Sequence, residues 1–268
     1  MHRSAILSAL LAAALYAGSA AAAMKAEPVE WKVGQDSFSG WLVYDDEDAD
    51  LRPGLVMVPN WMGVTDDALE RAKAVAGDDY VVLVADVYGK DNRPADSSQA
   101  GKLAGSLRGE DRGPLRARMQ AAVDTLKAQA GRAPLDAGRI GAFGFCFGGS
   151  AALELARSGA DVAGVASLHG GLAPGAQSKT AARIAAPVLV LNGADDKAVD
   201  DAQVLAFEQE MDAAGADWQL VDFSGAVHCF AEPSAGSDPA SNCRYDERAS
   251  RRAYRMMDGF FEEVFAED

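Results

Sequence analysis

Histidine and cysteine are scarce in this chain of 268 residues, which contains three of each. There is no CxxC pair, and no group of histidines and cysteines has the spacing of zinc ligands. Three cysteines are also too few for the dense disulfide framework of a small secreted domain. The sequence therefore predicts a fold held together by its hydrophobic core, with no metal site.

Positive charge is also in short supply. Lysine and arginine together number 25 against 40 aspartates and glutamates, so the net charge at pH 7 is -15. A nucleic-acid backbone binds surfaces rich in lysine and arginine, and so does an anionic membrane surface. The charge balance therefore excludes nucleic acid as a predicted partner and disfavours binding to anionic membranes.

Long apolar runs are absent after the first 23 residues. Those residues have the organisation of a secretory signal peptide, with a weakly positive start at 1–3, an apolar run over 5–18, and alanines at 20–23 that offer A-x-A cleavage sites. The segment 1–23 is therefore predicted to be removed, and the mature protein to be exported, periplasmic or secreted, with no membrane association. An uncleaved membrane anchor is the alternative, although the run is short for a span.

Residues 24–268 contain no repeat or linker, and we expect a single domain. A hairpin over residues 31–44 is followed by alternating apolar strands and amphipathic helices, and the last helix has an apolar stripe from Ala253 to Val264. The predicted class is α/β, a mainly parallel central sheet with helices on both faces. The polar, glycine-rich stretch 93–112 is interpreted as a solvated surface, with an anion-binding loop over the pocket as the alternative. Reactive groups are expected on loops at the carboxyl ends of the strands.

One predicted strand ends in a motif that indicates nucleophilic chemistry. The segment Gly144-Phe145-Cys146-Phe147-Gly148 stands between an apolar strand and an alanine-rich helix. It is the G-x-S-x-G nucleophile elbow with cysteine in place of serine. The glycines allow strand and helix to come close, and the helix N-terminus favours a thiolate and a developing oxyanion. Cys146 is the predicted nucleophile, and a structural cysteine beside packing glycines is the alternative.

A thiol nucleophile needs a base, and His169 and His228 are the candidates in the mature chain. In a sheet of this kind the catalytic groups follow in the order nucleophile, acid, histidine. His228 lies just beyond the last predicted strand and fits that order, whereas His169 precedes every candidate acid. We therefore predict that His228 is the base, and that His169 lines the pocket or has a structural role.

The acid and the oxyanion donors are predicted from loops that follow other strands. The loop Asn192-Gly193-Ala194-Asp195-Asp196 leaves both aspartates as candidates for the carboxylate that orients the histidine. The oxyanion hole is expected to use the backbone N–H of Phe147, next to the nucleophile. Its second donor is expected to be the N–H of Trp61, in the loop after the first long strand.

Together these motifs resemble the dienelactone hydrolase family of α/β-hydrolases, over essentially all of residues 24–268. The segments that carry the resemblance are Pro59-Asn60-Trp61-Met62-Gly63, Asp86-Val87-Tyr88-Gly89, Gly144-Phe145-Cys146-Phe147-Gly148-Gly149, Gly193-Ala194-Asp195 and Val227-His228. The resemblance implies an α/β-hydrolase fold and a triad of Cys146, Asp195 and His228, with Asp195 at the family's G-x-D position. It also implies hydrolysis of small carboxylic esters or lactones through an acyl-enzyme, without a cofactor. Asn60, Tyr88 and His169 are the candidate pocket residues.

Asn60 marks a departure from the family pattern. The best-known members have a glutamate there that helps to activate the cysteine, and asparagine cannot accept a proton. The family's substrate-carboxylate arginines have no matched positions here, so a broader ester or lactone is predicted rather than dienelactone itself. The alternatives are acyl transfer or peptide cleavage on the same triad, and a non-catalytic small-molecule binding protein with this fold. No oligomeric state is predicted.

Cys229 and Cys243 are the cysteines outside the elbow. In an oxidising compartment such a pair tends to form a disulfide, and residues 230–242 between them have no core-forming periodicity. Closing a loop of about 15 residues contributes on the order of 3 kcal/mol in the chain-entropy model. A bridge would anchor the loop that presents His228, and two reduced cysteines are the alternative.

Overall fold

A computed structural model describes residues 24–47 and 49–266, and the predicted signal segment 1–23 lies outside the described residues. Eight strands of the described chain form one sheet. They are β1 (Lys25–Val33), β2 (Asp36–Tyr44), β3 (Arg52–Val58), β4 (Val81–Val84), β5 (Leu135–Phe145), β6 (Val165–Leu168), β7 (Val188–Gly193) and β8 (Trp218–Phe223). Their order is β1-β2-β4-β3-β5-β6-β7-β8. The β1–β2 and β2–β4 pairs are antiparallel, and the other neighbours are parallel.

Helices cover both faces of the sheet. They are α1 (Asp66–Ala76), α2 (Ser97–Leu107), α3 (Gly113–Lys127), α4 (Phe147–Arg157), α5 (Asp201–Ala213) and α6 (Glu247–Ala266). The buried faces of α1 and α6 share one hydrophobic cluster, and those of α2, α3, α4 and α5 belong to clusters on the opposite face. The predicted α/β class, with a mainly parallel sheet between two helical layers, is confirmed.

Alternation along the central strands explains the two layers. In β7, Val188 and Val190 pack toward α5, while Leu189 and Leu191 pack toward α6. Successive side chains of a strand point to opposite faces, so a strand covered on both sides must be apolar at every position. This is why the central strands read as continuous apolar runs in the sequence.

The stretch 93–112, expected to be solvated surface, contains the helix α2. The helix α2 begins after Asp96, whose side chain accepts a hydrogen bond from the Gln99 N–H at 2.9 Å. Ala100, Ala104 and Leu107 are its buried residues, and their i, i+4, i+7 spacing is a helical signal. Glycines at 101 and 105 and the polar flanks obscured that signal.

The helix α1 begins after Thr65, whose side chain accepts a hydrogen bond from the Ala68 N–H. None of the helices in the described ranges is both long enough and apolar enough to cross a bilayer. The loops that follow β3, β5, β7 and β8 all leave the same edge of the sheet, because these strands are parallel. That edge carries the residues described next.

Candidate active site

Cys146 occupies the sharp turn between β5 and α4. Its φ of 53° lies in the left-handed region, a strained conformation for a residue with a Cβ atom and one that recurs at functional sites. A Cβ at Gly144 would collide with the backbone of Gly148, and one at Gly148 would collide with the carbonyl oxygens of Val58 and Pro59. Both glycines are therefore required by the close approach of β3, β5 and α4. The turn leaves the Cys146 thiol partly exposed at the carboxyl edge of the sheet.

His228 joins the sulfur to a carboxylate. Its Nε2 lies 3.0 Å from the Cys146 Sγ, and its Nδ1 lies 2.7 Å from Oδ2 of Asp196. Burial lowers the pKa of His228, but the hydrogen bonds to Asp196 and Cys146 outweigh this effect and raise the pKa to about 10. The imidazole is therefore protonated at neutral pH, with its Nε2 directed at the Cys146 sulfur.

The carboxylate beside His228 belongs to Asp196, and the prediction of Asp195 is wrong. Asp195 is exposed, and its backbone N–H donates to the Ala226 carbonyl at 2.9 Å. The next residue closes a turn, with its N–H donating to the Gly193 carbonyl at 3.0 Å. That turn directs the Asp196 side chain, which is only 3% exposed, toward His228. The G-x-D match selected the neighbouring aspartate because two adjacent aspartates satisfy almost the same spacing.

Asp196 is held by donors at both carboxylate oxygens. Its Oδ1 accepts hydrogen bonds from the Ala198 N–H at 2.8 Å and from Nδ2 of Asn242 at 3.0 Å. Burial raises the pKa of Asp196, but these bonds and the one to His228 outweigh it, so the pKa is lowered overall. Asp196 is therefore ionised at neutral pH, with Oδ2 left for the histidine.

The two predicted donors of the oxyanion hole lie in the loop after β3 and at the start of α4. The N–H groups of Trp61 and Phe147 donate to no acceptor among the described residues. Tyr88 connects the two positions, since its hydroxyl donates to the Trp61 carbonyl at 2.9 Å. Its ring also stacks on the ring of Phe147, with the two ring centres 5.4 Å apart. Burial raises the pKa of Tyr88, so its hydroxyl remains a donor. Tyr88 thus fixes the loop after β3 relative to the start of α4.

The side chain of Asn60 is hydrogen-bonded to a buried ion pair, which Glu232 and Arg71 form. Its Nδ2 donates to Glu232 at 2.5 Å, and its Oδ1 accepts the Met62 N–H at 3.0 Å. Glu232 is 2% exposed and also accepts a hydrogen bond from Arg71 at 2.7 Å. No motif in the sequence pointed to Glu232 or Arg71. The available signal was that Glu232 is the acidic residue nearest in sequence to the predicted base.

His169 is fully buried behind the nucleophile. Its Nδ1 accepts a hydrogen bond from the Cys146 N–H at 3.1 Å, and its Nε2 lies 3.8 Å from the Glu232 carboxylate. Burial lowers the pKa of His169 well below 6.5, so the ring is neutral. His169 supports the backbone of the elbow and does not face the cavity.

A cavity of about 190 Å³ opens beside the Cys146 sulfur. It is lined by Asn60, Trp61, Met62, Cys146, Cys229, Glu232, Ser234, Ala235 and Cys243. Of the three candidate pocket residues, Asn60 lines this cavity, whereas Tyr88 and His169 are buried behind its wall. Cys229 and Cys243 form a disulfide with Cα atoms 4.9 Å apart, which leaves Cys146 as the free cysteine of the described residues.

The arginines of the stretch 93–116 are mostly bound within the protein. Arg93 donates to the Ser39 carbonyl at 2.9 Å, and Arg116 pairs with Glu154 at 2.8 Å. Arg108 lies close to the site, with its guanidinium 5.7 Å from the centre of the Phe147 ring. Across the two described ranges, no three histidine, cysteine, aspartate or glutamate side chains are grouped as metal ligands would be.

One family model and two known proteins match large parts of this chain. The sequence model of the dienelactone hydrolase family matches residues 39–265. An uncharacterized protein of Caenorhabditis elegans is 33% identical over 156 residues, which is 58% of this chain and 96% of that protein. A probable 2-oxo-3-(5-oxofuran-2-ylidene)propanoate lactonase of Bradyrhizobium sp is 28% identical over 192 residues, 67% of this chain and 74% of that protein.

Solved structures are similar over nearly the whole chain. The structure named m3DLH is 36% identical with a TM-score of 0.83, covering 90% of this chain and 99% of its own. A dienelactone hydrolase-like promiscuous phosphotriesterase from metagenomic libraries is also 36% identical, with a TM-score of 0.82, covering 91% of this chain and 99% of its own. A putative dienelactone hydrolase from Klebsiella pneumoniae, 21% identical with a TM-score of 0.75, covers 90% of this chain and 99% of its own and shows the same fold.

Proposed function

The chain belongs to the dienelactone hydrolase family, and we propose that Cys146, His228 and Asp196 are the nucleophile, base and acid with which it works. Like the family it belongs to, the chain is a hydrolase of carboxylic esters or lactones, and its substrate is a small molecule. The observation that carries the assignment is the hydrogen-bonded line from Cys146 through His228 to Asp196, with distances of 3.0 and 2.7 Å.

In the first step the Cys146 thiolate attacks the carbonyl carbon of the ester and forms a C–S bond. The carbonyl oxygen becomes an oxyanion, which the backbone N–H groups of Trp61 and Phe147 stabilise. The intermediate then loses its C–O bond, and the His228 imidazolium donates its proton to the departing alkoxide. The products are an alcohol and a thioester on Cys146. With a lactone, the alcohol stays attached to the acyl group.

In the second step water releases the acyl group. The neutral His228 takes a proton from water, and the resulting hydroxide attacks the thioester carbonyl. The C–S bond breaks, the carboxylic acid leaves, and the Cys146 thiolate returns beside the protonated His228. Asp196 holds the imidazole with Nε2 toward the sulfur throughout and stabilises its positive charge.

The cavity favours short, uncharged acyl groups. Its volume of about 190 Å³ is small, and Trp61, Met62 and the disulfide provide apolar surface. The one carboxylate in its wall, Glu232, is already paired with Arg71 and Asn60. We therefore propose short-chain esters and small lactones as substrates.

The test is a panel of aryl esters and lactones, run with the purified protein beside Cys146→Ala. Turnover should disappear in the variant, and mass spectrometry of the wild type should find the acyl group on the peptide containing residue 146. His228→Ala should fall nearly as far, because members of a catalytic unit are not additive. Asp195→Asn, at an exposed position next to the acid, is the matched control and should keep wild-type activity. Turnover by Cys146→Ala would contradict the mechanism.

The same triad supports a second activity, the hydrolysis of phosphotriesters. A structure 36% identical over 91% of this chain is a promiscuous phosphotriesterase. The Cys146 thiolate would attack phosphorus and expel an aryl oxide, and water would then cleave the S–P bond. Release of nitrophenolate from a dialkyl nitrophenyl phosphate by wild type, and its absence with Cys146→Ala, would support this activity. No release from the wild type would exclude it.

Three alternatives make different predictions in the same assays. An acyltransferase or a peptidase would transfer the acyl group to an added alcohol or amine, or cleave an amide, faster than it hydrolyses the matching ester. A non-catalytic binding protein would bind the esters without turnover. Its Cys146 would also react with alkylating reagents no faster than a free thiol.

We also propose that the protein is exported, as residues 1–23 indicate, and becomes periplasmic or secreted. The disulfide between Cys229 and Cys243 agrees with maturation in an oxidising compartment. Expression of the full chain with fractionation of cells tests this proposal. The expected result is a mature protein that begins near residue 24 in the exported fraction, and an uncleaved chain in the membrane or cytosol would contradict it.

A further inference from the structure

The segment 229–243 has both ends at the proposed triad. Cys229 directly follows His228, and Cys243 directly follows Asn242. The disulfide between these cysteines brings the two ends together, with their Cα atoms 4.9 Å apart. A covalent bond therefore joins the chain beside the base to the chain beside Asn242.

Asn242 makes two hydrogen bonds to the loop that carries the acid. Its Oδ1 accepts the Lys197 N–H at 3.1 Å, and its Nδ2 donates to Oδ1 of Asp196 at 3.0 Å. A backbone N–H can only donate, so the Lys197 contact determines which end of the amide faces Asp196. Asn242 is therefore oriented as a donor to the carboxylate.

The disulfide also borders the backbone of His228. His228 and Cys243 form a parallel β-bridge, and the His228 carbonyl accepts the Arg244 N–H at 3.1 Å. Cys229 has a φ of 62°, in the left-handed region that residues with a Cβ atom disfavour. The bridge and the disulfide thus hold a backbone conformation that the free segment would disfavour, directly beside the base.

We propose that Asn242 is a positioning residue for the acid of the triad. The Cys229–Cys243 disulfide keeps the Asn242 side chain hydrogen-bonded to Asp196, and it holds His228 in place beside that carboxylate. This inference rests on the proposed function and extends it to residues outside the triad. The two donors on Oδ1, Asn242 and the Ala198 N–H, leave Oδ2 to His228. With one donor lost, the carboxylate turns more freely and the imidazolium is held less well.

Two substitutions of Asn242 separate positioning from simple anchoring of the loop. Asn242→Ala removes both hydrogen bonds. Asn242→Asp keeps the size and the acceptor for Lys197, but replaces the donor with a negative oxygen facing Asp196. If Asn242 only anchors the loop, the aspartate variant should resemble the wild type. If it positions the acid, the aspartate variant should be the worse of the two.

The readouts are ester hydrolysis and the rate at which iodoacetamide alkylates Cys146, followed by peptide mass spectrometry at pH 7. Loss of the hydrogen bond to Asp196 should lower kcat about tenfold in Asn242→Ala, with KM changed less than twofold because the side chain does not line the cavity. Asn242→Asp should lose about a hundredfold, since a like charge faces Asp196. The alkylation rate should fall in the same order. Ser237→Ala, an exposed position in the same segment, should match the wild type.

Reduction tests the covalent part of the inference. A dithiol such as dithiothreitol transfers two electrons and two protons to the disulfide, gives the thiols of Cys229 and Cys243, and is itself oxidised to a cyclic disulfide. After removal of the reagent without air oxidation, kcat and the Cys146 alkylation rate should both fall at least fivefold. The double variant Cys229→Ser, Cys243→Ser should behave like the reduced protein without any reductant.

The outcomes are distinguishable from failure of the proposed function. Alkylation of Cys146 needs no substrate, so it reports on the triad even if no ester in the panel is turned over. Asn242→Asp performing as well as or better than Asn242→Ala would overturn the positioning role. Unchanged kcat and alkylation in both the reduced protein and the serine double variant would overturn the role of the disulfide.

Discussion

Replacing Asp196 with asparagine should disable the proposed base through its tautomer. In the wild type, Oδ1 of Asp196 accepts two N–H donors, from Ala198 and Asn242, and Oδ2 faces Nδ1 of His228. An asparagine at 196 must keep its oxygen on the side of the two donors. Its NH₂ group then faces Nδ1 of His228, and that nitrogen must act as acceptor. The proton moves to Nε2, so the neutral imidazole cannot take a proton there.

The magnitude follows from the chemistry that is lost. The corresponding substitution in a serine triad lowers kcat by about 10⁴ through the same tautomer error. A thiol ionises more readily than a hydroxyl, so we expect a loss of roughly 10³ to 10⁴ here, which is about 4–5.5 kcal/mol of transition-state stabilisation. Asp196→Ala leaves Nδ1 free to keep its proton and should lose only about 10² in kcat.

The assay is steady-state hydrolysis of a nitrophenyl ester by both Asp196 variants and by Asp195→Asn. The exposed Asp195 is the matched control and should stay within about twofold of wild type. Thermal unfolding of each variant checks that the fold persists. Either of two results would refute the reasoning: Asp195→Asn losing more activity than Asp196→Asn, or Asp196→Ala losing more than Asp196→Asn.

Three further predictions concern stability. Gly148→Ala should cost more than about 4 kcal/mol of unfolding free energy or prevent accumulation of folded protein, because its Cβ meets backbone oxygens. Gly259→Ala, with open space around it, should stabilise α6 by about 0.5–1 kcal/mol. Equal effects of the two substitutions in denaturant titrations would contradict the packing argument. Glu232→Gln should cost about 3–5 kcal/mol, because the buried Arg71 loses its buried counter-charge, and a change below 1 kcal/mol would show that Asp67 alone suffices for Arg71. The pKa of His228 is raised to about 10 in the folded state, so its stabilising contribution is complete below about pH 6.5 and is lost as the pH rises toward 10. The Tm difference between wild type and His228→Gln should therefore narrow over that range. A constant difference would contradict the ion pair between His228 and Asp196.

The sequence by itself determined the parts of this protein that depend on short-range constraints. Cys146 could be placed at the elbow because the turn forces glycines at positions 144 and 148, and these collide with neighbouring backbone if they gain a Cβ. The strand–helix order was readable because strands buried on both faces must be apolar throughout. His228 could be placed beside the sulfur, since it is the histidine that follows the candidate acids in chain order.

Only the tertiary structure decided which neighbours complete the site. Asp195 and Asp196 are adjacent in one turn, and backbone torsions direct one side chain to solvent and the other to His228. Asp196 is hydrogen-bonded to Asn242, which is 46 residues away along the chain. Asn60 is hydrogen-bonded to Glu232, which is 172 residues away. Hydrogen bonds need atoms placed within a few tenths of an ångström, and no local pattern specifies such contacts between distant loops. The packing of the loops after β3, β7 and β8 brings them together.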